Sequence, residues 1–286
     1  MHRGRRFVLT LSCPDRVGIV AAVATFFAEL GGWILEASHH SDLESGRFFL
    51  RQEVRADSVA LGADELRERF AAVAEPYDMR WQISDTDVRK RVVLMASQDE
   101  HCLVDLLSRW RADELDMDVA CVISNHDTLR DLVEWHGVRY EYRPVDPADK
   151  PAHFEQVRTL LADADADCIV LARYMQILPP WLVDAYAGRV INIHHGFLPS
   201  FAGARPYHQA YARGVKLIGA TSHYVTSDLD AGPIIEQDVI RIDHSDTVED
   251  YVRYGRDIER VVLARAVRNH LEDRVLVHGN RTVVFS

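Results

Sequence analysis

The sequence is poor in cysteine and lacks long apolar runs. Its four cysteines are scattered without any Cys-x-x-Cys spacing, and each lies inside or beside an apolar stretch: Cys13, Cys102, Cys121 and Cys168. We therefore expect buried thiols in a reducing compartment rather than disulfides. No stretch approaches the ~18 to 20 uninterrupted apolar residues of a spanning helix, which excludes a membrane-spanning protein.

Positive charge is also scarce. The chain has 33 Lys and Arg against 44 Asp and Glu, for a net charge of -11. This balance argues against nucleic acid or an anionic membrane surface as the main partner. The start, MHRGRRFVLTLSC, has neither the apolar core nor the cleavage site of a signal peptide. We expect a cytoplasmic protein with no nucleic-acid partner and no membrane partner.

The length of 286 residues, of which 48% are hydrophobic, suits two domains. Alternating and helical patterns in the first third predict strands at 7–12, 33–41, 46–54 and 79–83, and helices at 17–30 and 60–74. This βαββαβ order predicts a small ferredoxin-like antiparallel sheet with helices on one face. The charged segment SDTDVRKR marks a linker. We place the domains at residues 1–85 and 92–286, joined by a linker at 86–91.

In the second domain, strands alternate with helices from residue 92 onward. This alternation predicts a doubly wound, mostly parallel, Rossmann-like α/β sheet. Its first strand is followed by Ser97-Gln98-Asp99-Glu100-His101, a turn without glycine and with two acids. Because close approach of backbone to phosphate needs glycine, a dinucleotide or phosphorylated substrate is disfavoured at this position.

The stretch VINIHHGFLPSF (Val190–Phe201) is the strongest chemical signal. Its apolar strand stops at a Gly/Pro turn, and period-two alternation places Asn192 and His194 on one face. Asp230 follows a second β-rich run, in an Asp-Leu-Asp-Ala-Gly-Pro turn. An amide and an imidazole can hydrogen-bond an oxyanion, while a carboxylate orients or deprotonates water. The three side chains together predict attack on an acyl or formyl carbon.

The histidines near this turn admit two other interpretations. With the neighbouring aspartates, His194, His195, His208 and His223 could form a zinc site, which needs three ligands and an open position. Adjacent residues at a strand end should point to opposite sides, so His194 and His195 should not share one ion. We therefore expect no metal. His195 and His208 could instead simply support the turn.

Three further segments could either bind a ligand or have only a structural role. The turn Asp15, Arg16, Val17 and Gly18 could present backbone N–H groups to a small anion, or could be only a capped helix start. The loop Ala172–Pro180 could hold a flat heterocycle or pack in the core. The segment His244–Leu271 predicts a helix capped by Ser245 or Asp246, with core residues Val252, Ile258, Val262 and Leu271.

Two family resemblances run along the chain. FVLTLSCPDRVGIVAAVATFFAELGGWILEASHHSD resembles an ACT domain, a regulatory module that binds amino acids and pairs with a second copy. The segments LARYMQIL, INIHHGFLPSF, GARPYHQA, GVKLIGATSHYVTSDLDAGPIIEQDV and GRDIERVVLARAV resemble, in that order, the formyltetrahydrofolate deformylases. This resemblance implies hydrolysis of 10-formyltetrahydrofolate to formate and tetrahydrofolate, which balances the folate pool and supplies formate for purine biosynthesis.

The resemblance also implies roles for individual residues. Asn192 and His194 would polarise the formyl oxygen, Asp230 would position water, and no cofactor would be needed. The implied folate-binding residues are Tyr174, Met175, Gln176, Ile177, Leu178, His223, Val225, Thr226 and Asp228. The first domain implies a candidate amino-acid effector at Asp15–Gly18 and a homo-oligomer, a dimer or a tetramer. Gly196 departs from the family, whose members commonly have serine there.

Two other functions stay open from the sequence. A formyltransferase would move the same formyl group to an amine, although the missing glycine-rich loop argues against a ribonucleotide acceptor. A non-enzymatic amino-acid sensor would use the ACT-like domain alone, although the complete set of Asn192, His194 and Asp230 argues against it.

Overall fold

The structure is a computed structural model that describes residues 4–200 and 205–285. Phe201, Gly203 and Ala204, which belong to the motifs INIHHGFLPSF and GARPYHQA, lie outside the described residues. The chain divides into two compact units. The first contains the residues up to Arg89, Glu272–His278 and the stretch from Thr282 onward, and the second contains Lys90–Leu271 and Gly279–Arg281.

The first unit contains a four-stranded antiparallel sheet with the order β2-β3-β1-β4. Its elements are β1 (Arg6–Pro14), α1 (Ile19–Glu29), β2 (Ile34–Asp42), β3 (Arg47–Arg55), α2 (Ala63–Ala74) and β4 (Arg80–Asp85), with 3-10 turns at Ala56–Ser58 and Glu75–Tyr77. The predicted ferredoxin-like βαββαβ fold is confirmed. Its core joins the apolar faces of both helices to the sheet, through residues such as Phe27, Leu66 and Phe70.

The first helix begins later than predicted. The sequence pattern placed its start at Val17, whereas α1 begins at Ile19. Gly18 precedes it with a φ of 102°, a left-handed conformation that cannot continue a right-handed helix. The helix therefore starts only after this glycine, and Val17 is 99% exposed.

Most of the C-terminal hairpin belongs to the first unit, not to the second domain as the range 92–286 proposed. The hairpin consists of β12 (Val275–His278) and β13 (Arg281–Val284). Just before it, the carbonyl of Glu272 accepts a hydrogen bond of 2.9 Å from Arg51, which is 1% exposed and also pairs with Glu53 at 2.6 Å. A buried guanidinium needs such partners, so residues far apart in sequence complete one unit.

The second unit contains a seven-stranded sheet with the order β11-β10-β9-β8-β5-β6-β7. Its strands are β5 (Lys90–Ala96), β6 (Met117–Ser124), β7 (Tyr140–Tyr142), β8 (Cys168–Leu171), β9 (Val190–His194), β10 (Leu217–Tyr224) and β11 (Ile234–Arg241). The five strands from β5 to β9 are parallel. At one edge, β10 pairs antiparallel with β9, and β11 pairs antiparallel with β10. The predicted mostly parallel sheet is confirmed.

Among the described residues of this unit, the helices that connect these strands or follow them are α3 (His101–Arg111), α4 (Arg130–Trp135), α5 (Lys150–Asp163), α6 (Pro180–Ala185), α7 (Pro206–Ala212) and α8 (Val248–Leu271). Thr247, not Ser245 or Asp246, caps α8. The backbone N–H of Asp250 donates to Thr247 Oγ1 at 3.2 Å, and Asp250 Oδ2 accepts from the backbone N–H of Thr247 at 2.9 Å. This reciprocal pair satisfies donors that the first turn leaves open.

Two other predictions from the sequence concern the cysteines and membrane-spanning helices. All four cysteines are free and buried, as predicted. Over the residues that the structure describes, we find no helix with the length and apolarity needed to cross a bilayer.

Candidate active site

The end of β9 and the facing strand β10 place three polar side chains together. In the antiparallel pairing of these strands, Asn192 lies opposite His223, and His194 lies opposite Thr221. Paired residues of neighbouring strands share a face, as do alternate residues of one strand. Asn192, His194 and His223 therefore project on the same side of the sheet.

Asp230 reaches these residues because the loop after β10 folds back. The Tyr224 N–H donates to the carbonyl of Pro233 at 2.9 Å, and a Cβ on Gly232 would lie 1.8 Å from the Tyr224 carbonyl oxygen. Only glycine permits that approach. Asp230 itself has a left-handed φ of 54°, and its Oδ2 lies 3.2 Å from His194 Nδ1.

His223 orients the amide of Asn192. Its Nδ1 lies 2.9 Å from the Tyr224 carbonyl, which can only accept, so Nδ1 carries the proton. Burial lowers the pKa of His223, which keeps the ring neutral at neutral pH. Its Nε2 then accepts from Asn192 Nδ2 at 3.3 Å. The distance of 3.8 Å between His223 Nε2 and Asp230 Oδ1 is accordingly not an ion pair.

His194 carries a ring nitrogen, Nε2, that a bound substrate can hydrogen-bond. The residue is 4% exposed, and its Nε2 has no hydrogen-bond partner within residues 4–200 and 205–285. A buried polar atom of this kind calls for a ligand or a function. Gly196 packs against it, because a Cβ there would lie 3.0 Å from Nε2. A serine at this position would crowd the imidazole, whereas this glycine leaves it room.

These side chains line a cavity of about 550 Å³ in the second unit. This volume lies within the range of small-molecule sites. Every residue predicted to be catalytic or to bind folate lines it: Asn192, His194, Asp230, Tyr174, Met175, Gln176, Ile177, Leu178, His223, Val225, Thr226 and Asp228. The structure brings the whole set to one cavity, and the roles of its members stay predictions.

The loop after β8 is part wall and part core. Tyr174 and Leu178 are buried in a hydrophobic cluster, and the Tyr174 hydroxyl lies 2.7 Å from His153 Nε2. Met175 and Ile177 are 56% and 70% exposed. Both interpretations of this loop therefore apply to different residues of it, and the exposed pair gives the cavity an apolar wall.

The expectation that His194 and His195 point to opposite sides is wrong. Both line the cavity, and their ring centroids are 5.4 Å apart. Strand β9 ends at His194, so strand alternation does not extend to His195. His208 lines the cavity as well.

A metal site built from these histidines has no geometric support among the described residues. Within that part of the chain, the potential metal ligands that cluster are His101, Cys102 and Glu259. The Nε of Arg173 lies 3.6 Å from a carboxylate oxygen of Glu259. A fixed positive charge at that distance opposes a cation, so we assign no metal to this cluster.

Protonation of His195 is expected to destabilise the folded chain. Burial, followed by the charge of Arg173, lowers the pKa of His195 from 6.5 to about 4. Between these two values the unfolded chain binds the proton and the folded chain does not. The free energy of unfolding therefore falls as the pH falls from 6.5 to 4, by on the order of 3 kcal/mol over the full shift.

Urea unfolding of wild type and His195→Gln across this pH range measures the effect. The variant should show a shallower loss of stability at acid pH, because it lacks the group that takes up the proton. His244→Gln, which changes a side chain that is 90% exposed, is the matched control. Equal pH slopes for wild type and His195→Gln would contradict the expectation.

Sequence reasoning missed a second polar group in the same cavity. Its members are Asp99, His101, Arg173, Tyr207, Arg256 and Glu259. Glu259 is 1% exposed and lies on the apolar face of α8, between Gly255 and Val262. An acid at a buried helical position is the signal that could have revealed it. Val252, predicted as core, is half-buried and lines the cavity.

The candidate effector turn lies in the first unit, and its side chains have partners there. The Asp15 carboxylate accepts a hydrogen bond from Ser41, and Arg16 donates to the carbonyl of Pro76. The Arg16 guanidinium also lies 4.7 Å from the centre of the Tyr77 ring. No side chain caps α1, so the backbone at Gly18 remains the candidate element for an anion.

Comparisons with known proteins agree with this architecture. Residues 90–267 match the formyl transferase family. A formyltetrahydrofolate deformylase of Bacillus subtilis is 50% identical over 279 residues, which cover 97% of this chain and 93% of that protein. The crystal structure of a formyltetrahydrofolate deformylase from Pseudomonas syringae is similar with a TM-score of 0.99 and 61% identity, covering 100% of this chain and 96% of that one.

A transferase of the same fold is more distant. Glycinamide ribonucleotide transformylase 1 from Symbiobacterium toebii has a TM-score of 0.65 and 30% identity, covering 69% of this chain and 95% of its own. The likeness to the deformylases, in contrast, extends over nearly the whole chain.

Proposed function

Since the chain belongs to the formyltetrahydrofolate deformylases of the formyl transferase family, we propose that it hydrolyses 10-formyltetrahydrofolate with water to formate and tetrahydrofolate. The observation that carries this proposal is the contact of 3.2 Å between His194 and Asp230 beside Asn192 in one cavity. An amide, an imidazole and a carboxylate are the groups that formyl transfer to water requires.

The first step is attack of water on the formyl carbon. The lone pair of the water oxygen forms the new C–O bond, and the carbonyl electron pair moves onto the formyl oxygen. The Asn192 amide donates to this oxyanion with the N–H that is not engaged by His223. His194 donates from Nε2, while its Nδ1–H is held by Asp230. One such donor typically contributes about 3 kcal/mol to transition-state stabilisation.

Asp230 takes up the proton that water loses. Its Oδ2 lies 3.2 Å from His194 Nδ1, which places the carboxylate beside the group that binds the formyl oxygen, where the attacking water must also lie. The carboxylate also stabilises the positive imidazole ring that donates to the oxyanion. When the carbon–nitrogen bond breaks, its electron pair stays on the nitrogen, which takes a proton, and formate leaves. Asp230 returns the first water proton to this nitrogen as the oxyanion re-forms its carbonyl bond, and the formic acid so made loses the second water proton to solvent, so each step is carried by the side chains of the chain itself.

The pterin is assigned to the wall formed by the loops after β8 and β10. Exposed Met175 and Ile177 offer an apolar face, and the backbone of residues 225–228 offers polar groups for the edge of a heterocycle. Thr226 Oγ1 donates to the Asp228 carbonyl at 3.1 Å, which fixes the shape of the second loop. A flat ring with polar edges fits such a slot.

The wild-type protein is expected to release formate and tetrahydrofolate in equal amounts from 10-formyltetrahydrofolate without any added amine. A chelator should not change the rate, because each proposed step uses the side chains of the chain itself. A time course of formate and of tetrahydrofolate absorbance, with and without chelator, measures this. Absence of formate, or its loss with chelator, would contradict the proposal.

The regulatory and cellular parts of the proposal rest on the ACT-like unit and the family. We assign to the Asp15–Gly18 turn a small amino-acid effector, and to the whole protein a homo-oligomeric, dimeric or tetrameric state in the cytoplasm. The released formate would serve purine biosynthesis and balance the folate pool. Isothermal titration with single amino acids, and light scattering, test the effector and the oligomer separately.

A further inference from the structure

The second polar group of the cavity lies where the strand order of the large sheet reverses. From β5 the chain proceeds to β6 and β7 on one side, and later returns to β8 and β9 on the other. Open α/β sheets bind ligands in the crevice at the carboxyl ends of such strands. Here the loops that follow β5 and β8 both line the cavity.

An ion pair bridges these two loops. Arg173, after β8, donates to Asp99, after β5, with a distance of 2.9 Å between Nη2 and Oδ2. The backbone N–H of Ser97 also donates to the Arg173 carbonyl at 3.2 Å. Arg173 has a left-handed φ of 65°, an uncommon conformation that the surrounding contacts must hold. Asp99 further attracts Arg256, whose Nη2 lies 3.5 Å from Oδ1.

Glu259 supports this bridge from α8. One of its oxygens accepts from Tyr207 at 2.7 Å, and the other lies 2.9 Å from His101 Nε2 and 3.6 Å from Arg173 Nε. Burial acts to raise the pKa of Glu259, but the bond to His101 and the charge of Arg173 outweigh it and lower the pKa. Gly255 admits the Tyr207 ring, because a Cβ there would lie 2.1 Å from its Cζ.

The charges of this group are therefore engaged with one another. Arg173 and Arg256 both face Asp99, so neither offers its charge unshared to an anionic group of a second substrate. Burial acts to raise the pKa of Asp99, but its bond to Arg173 lowers it, so the residue is a carboxylate that repels phosphate. Arg205, another arginine of the cavity wall, precedes α7 and takes no part in these contacts.

We propose that Asp99, His101, Arg173, Tyr207 and Glu259, here called the acceptor-side network, close the half of the cavity that an amine acceptor would occupy and so restrict the nucleophile to water. The inference rests on the proposed hydrolysis and adds its acceptor specificity. These residues shape the cavity and exclude an amine acceptor, and none of them is assigned a step in the chemistry.

The chemistry itself would accept an amine if one could enter. The amine nitrogen would form the bond to the formyl carbon and lose a proton to Asp230. The carbon–nitrogen bond to the folate would then break, its nitrogen would take a proton, and the products would be a formylated amine and tetrahydrofolate. Both nucleophiles need the same donors and base, so the difference between them is access.

The proposal is tested by the ratio of the two products, formate from attack by water and a formylated amine from attack by an amine. The double variant Asp99→Gly with Arg173→Gly removes the bridge without changing the net charge, and glycine fits the left-handed position of Arg173. Wild type and variant are given 10-formyltetrahydrofolate with increasing glycinamide, and formate and formylglycinamide are measured by mass spectrometry. We expect wild type to give formate with at most a small fraction of formylglycinamide, and the variant to give a ratio of formylglycinamide to formate that is at least tenfold higher.

A folded double variant that releases formate with the wild-type ratio would overturn the inference. If the double variant does not fold, Asp99→Asn keeps the shape and weakens the bridge. It should raise the ratio by a smaller factor, and an unchanged ratio there would also overturn the inference. The ratio does not depend on total activity, so a network that only stabilises the fold would not move it.

The matched control removes a different ion pair from the same unit. Asp257 and Arg260 lie one helical turn apart on α8, exposed by 61% and 41%. Replacing both with alanine should leave the ratio as in wild type. Failure of the proposed hydrolysis is distinguishable, because wild type would then release no formate in the absence of glycinamide.

Discussion

Asp230→Asn is expected to lower the rate of formate release roughly a thousandfold or more while the chain stays folded. The amide cannot take the proton of water and cannot balance a positive His194, so both contributions of the carboxylate disappear together. Asparagine has the same shape and tolerates the left-handed φ of 54° at this position. Single-turnover kinetics with thermal unfolding of the same sample separates lost chemistry from lost structure.

Asp238→Asn provides the matched control for this variant. Asp238 is a partly exposed carboxylate on β11 that pairs with Arg265 at 3.0 Å, away from the cavity lining. Its replacement should leave formate release within about twofold of wild type, as expected for a surface ion pair. Survival of turnover within a few-fold in Asp230→Asn would show that another group takes up the proton.

Gly232→Ala is expected to impair both stability and turnover. The added methyl would lie 1.8 Å from the backbone oxygen of Tyr224, which cannot rotate away as a side chain could. The loop must move, and with it both Asp230 and the carbonyl that fixes the proton of His223. Forced overpacking of this kind costs about 1 to 3 kcal/mol, and a shifted carboxylate should lower the rate about a hundredfold.

Denaturant unfolding and formate release, measured on the same preparation, check this expectation. Ala231→Ser, an enlargement at the exposed neighbouring position of the same turn, should change neither quantity appreciably. Wild-type stability in Gly232→Ala would mean that the loop can relax without cost. The glycine would then not be what holds Asp230 beside His194.

Local patterns were sufficient to predict the two folds and the main chemical group. Hydrophobic alternation located the strands, because one face or both faces of each strand are buried. Asn192 and His194 could be placed on one face from the period of a strand alone. Asp230 could be assigned to their vicinity only through the turn signal Ala231-Gly232-Pro233 and the family resemblance, since convergence of two loops is a tertiary property.

The acceptor-side network could not be predicted from local pattern. His101 and Glu259 are 158 residues apart, and their contact depends on how α8 packs across the sheet. The same limitation applies to His195, whose orientation follows from where β9 stops. It also applies to the C-terminal hairpin, which the range 92–286 placed in the second domain, although most of it belongs to the unit built from the opposite end of the sequence.

That hairpin has a consequence for biosynthesis. The large sheet is encoded entirely between the two segments that contribute to the first unit, so it is translated before the C-terminal hairpin. The buried guanidinium of Arg51 is synthesised early, but its hydrogen-bond acceptor, the carbonyl of Glu272, is synthesised late. The unit translated first therefore gains one of its buried contacts only near the end of synthesis, and truncating the chain from Glu272 onward would remove that contact from the first unit.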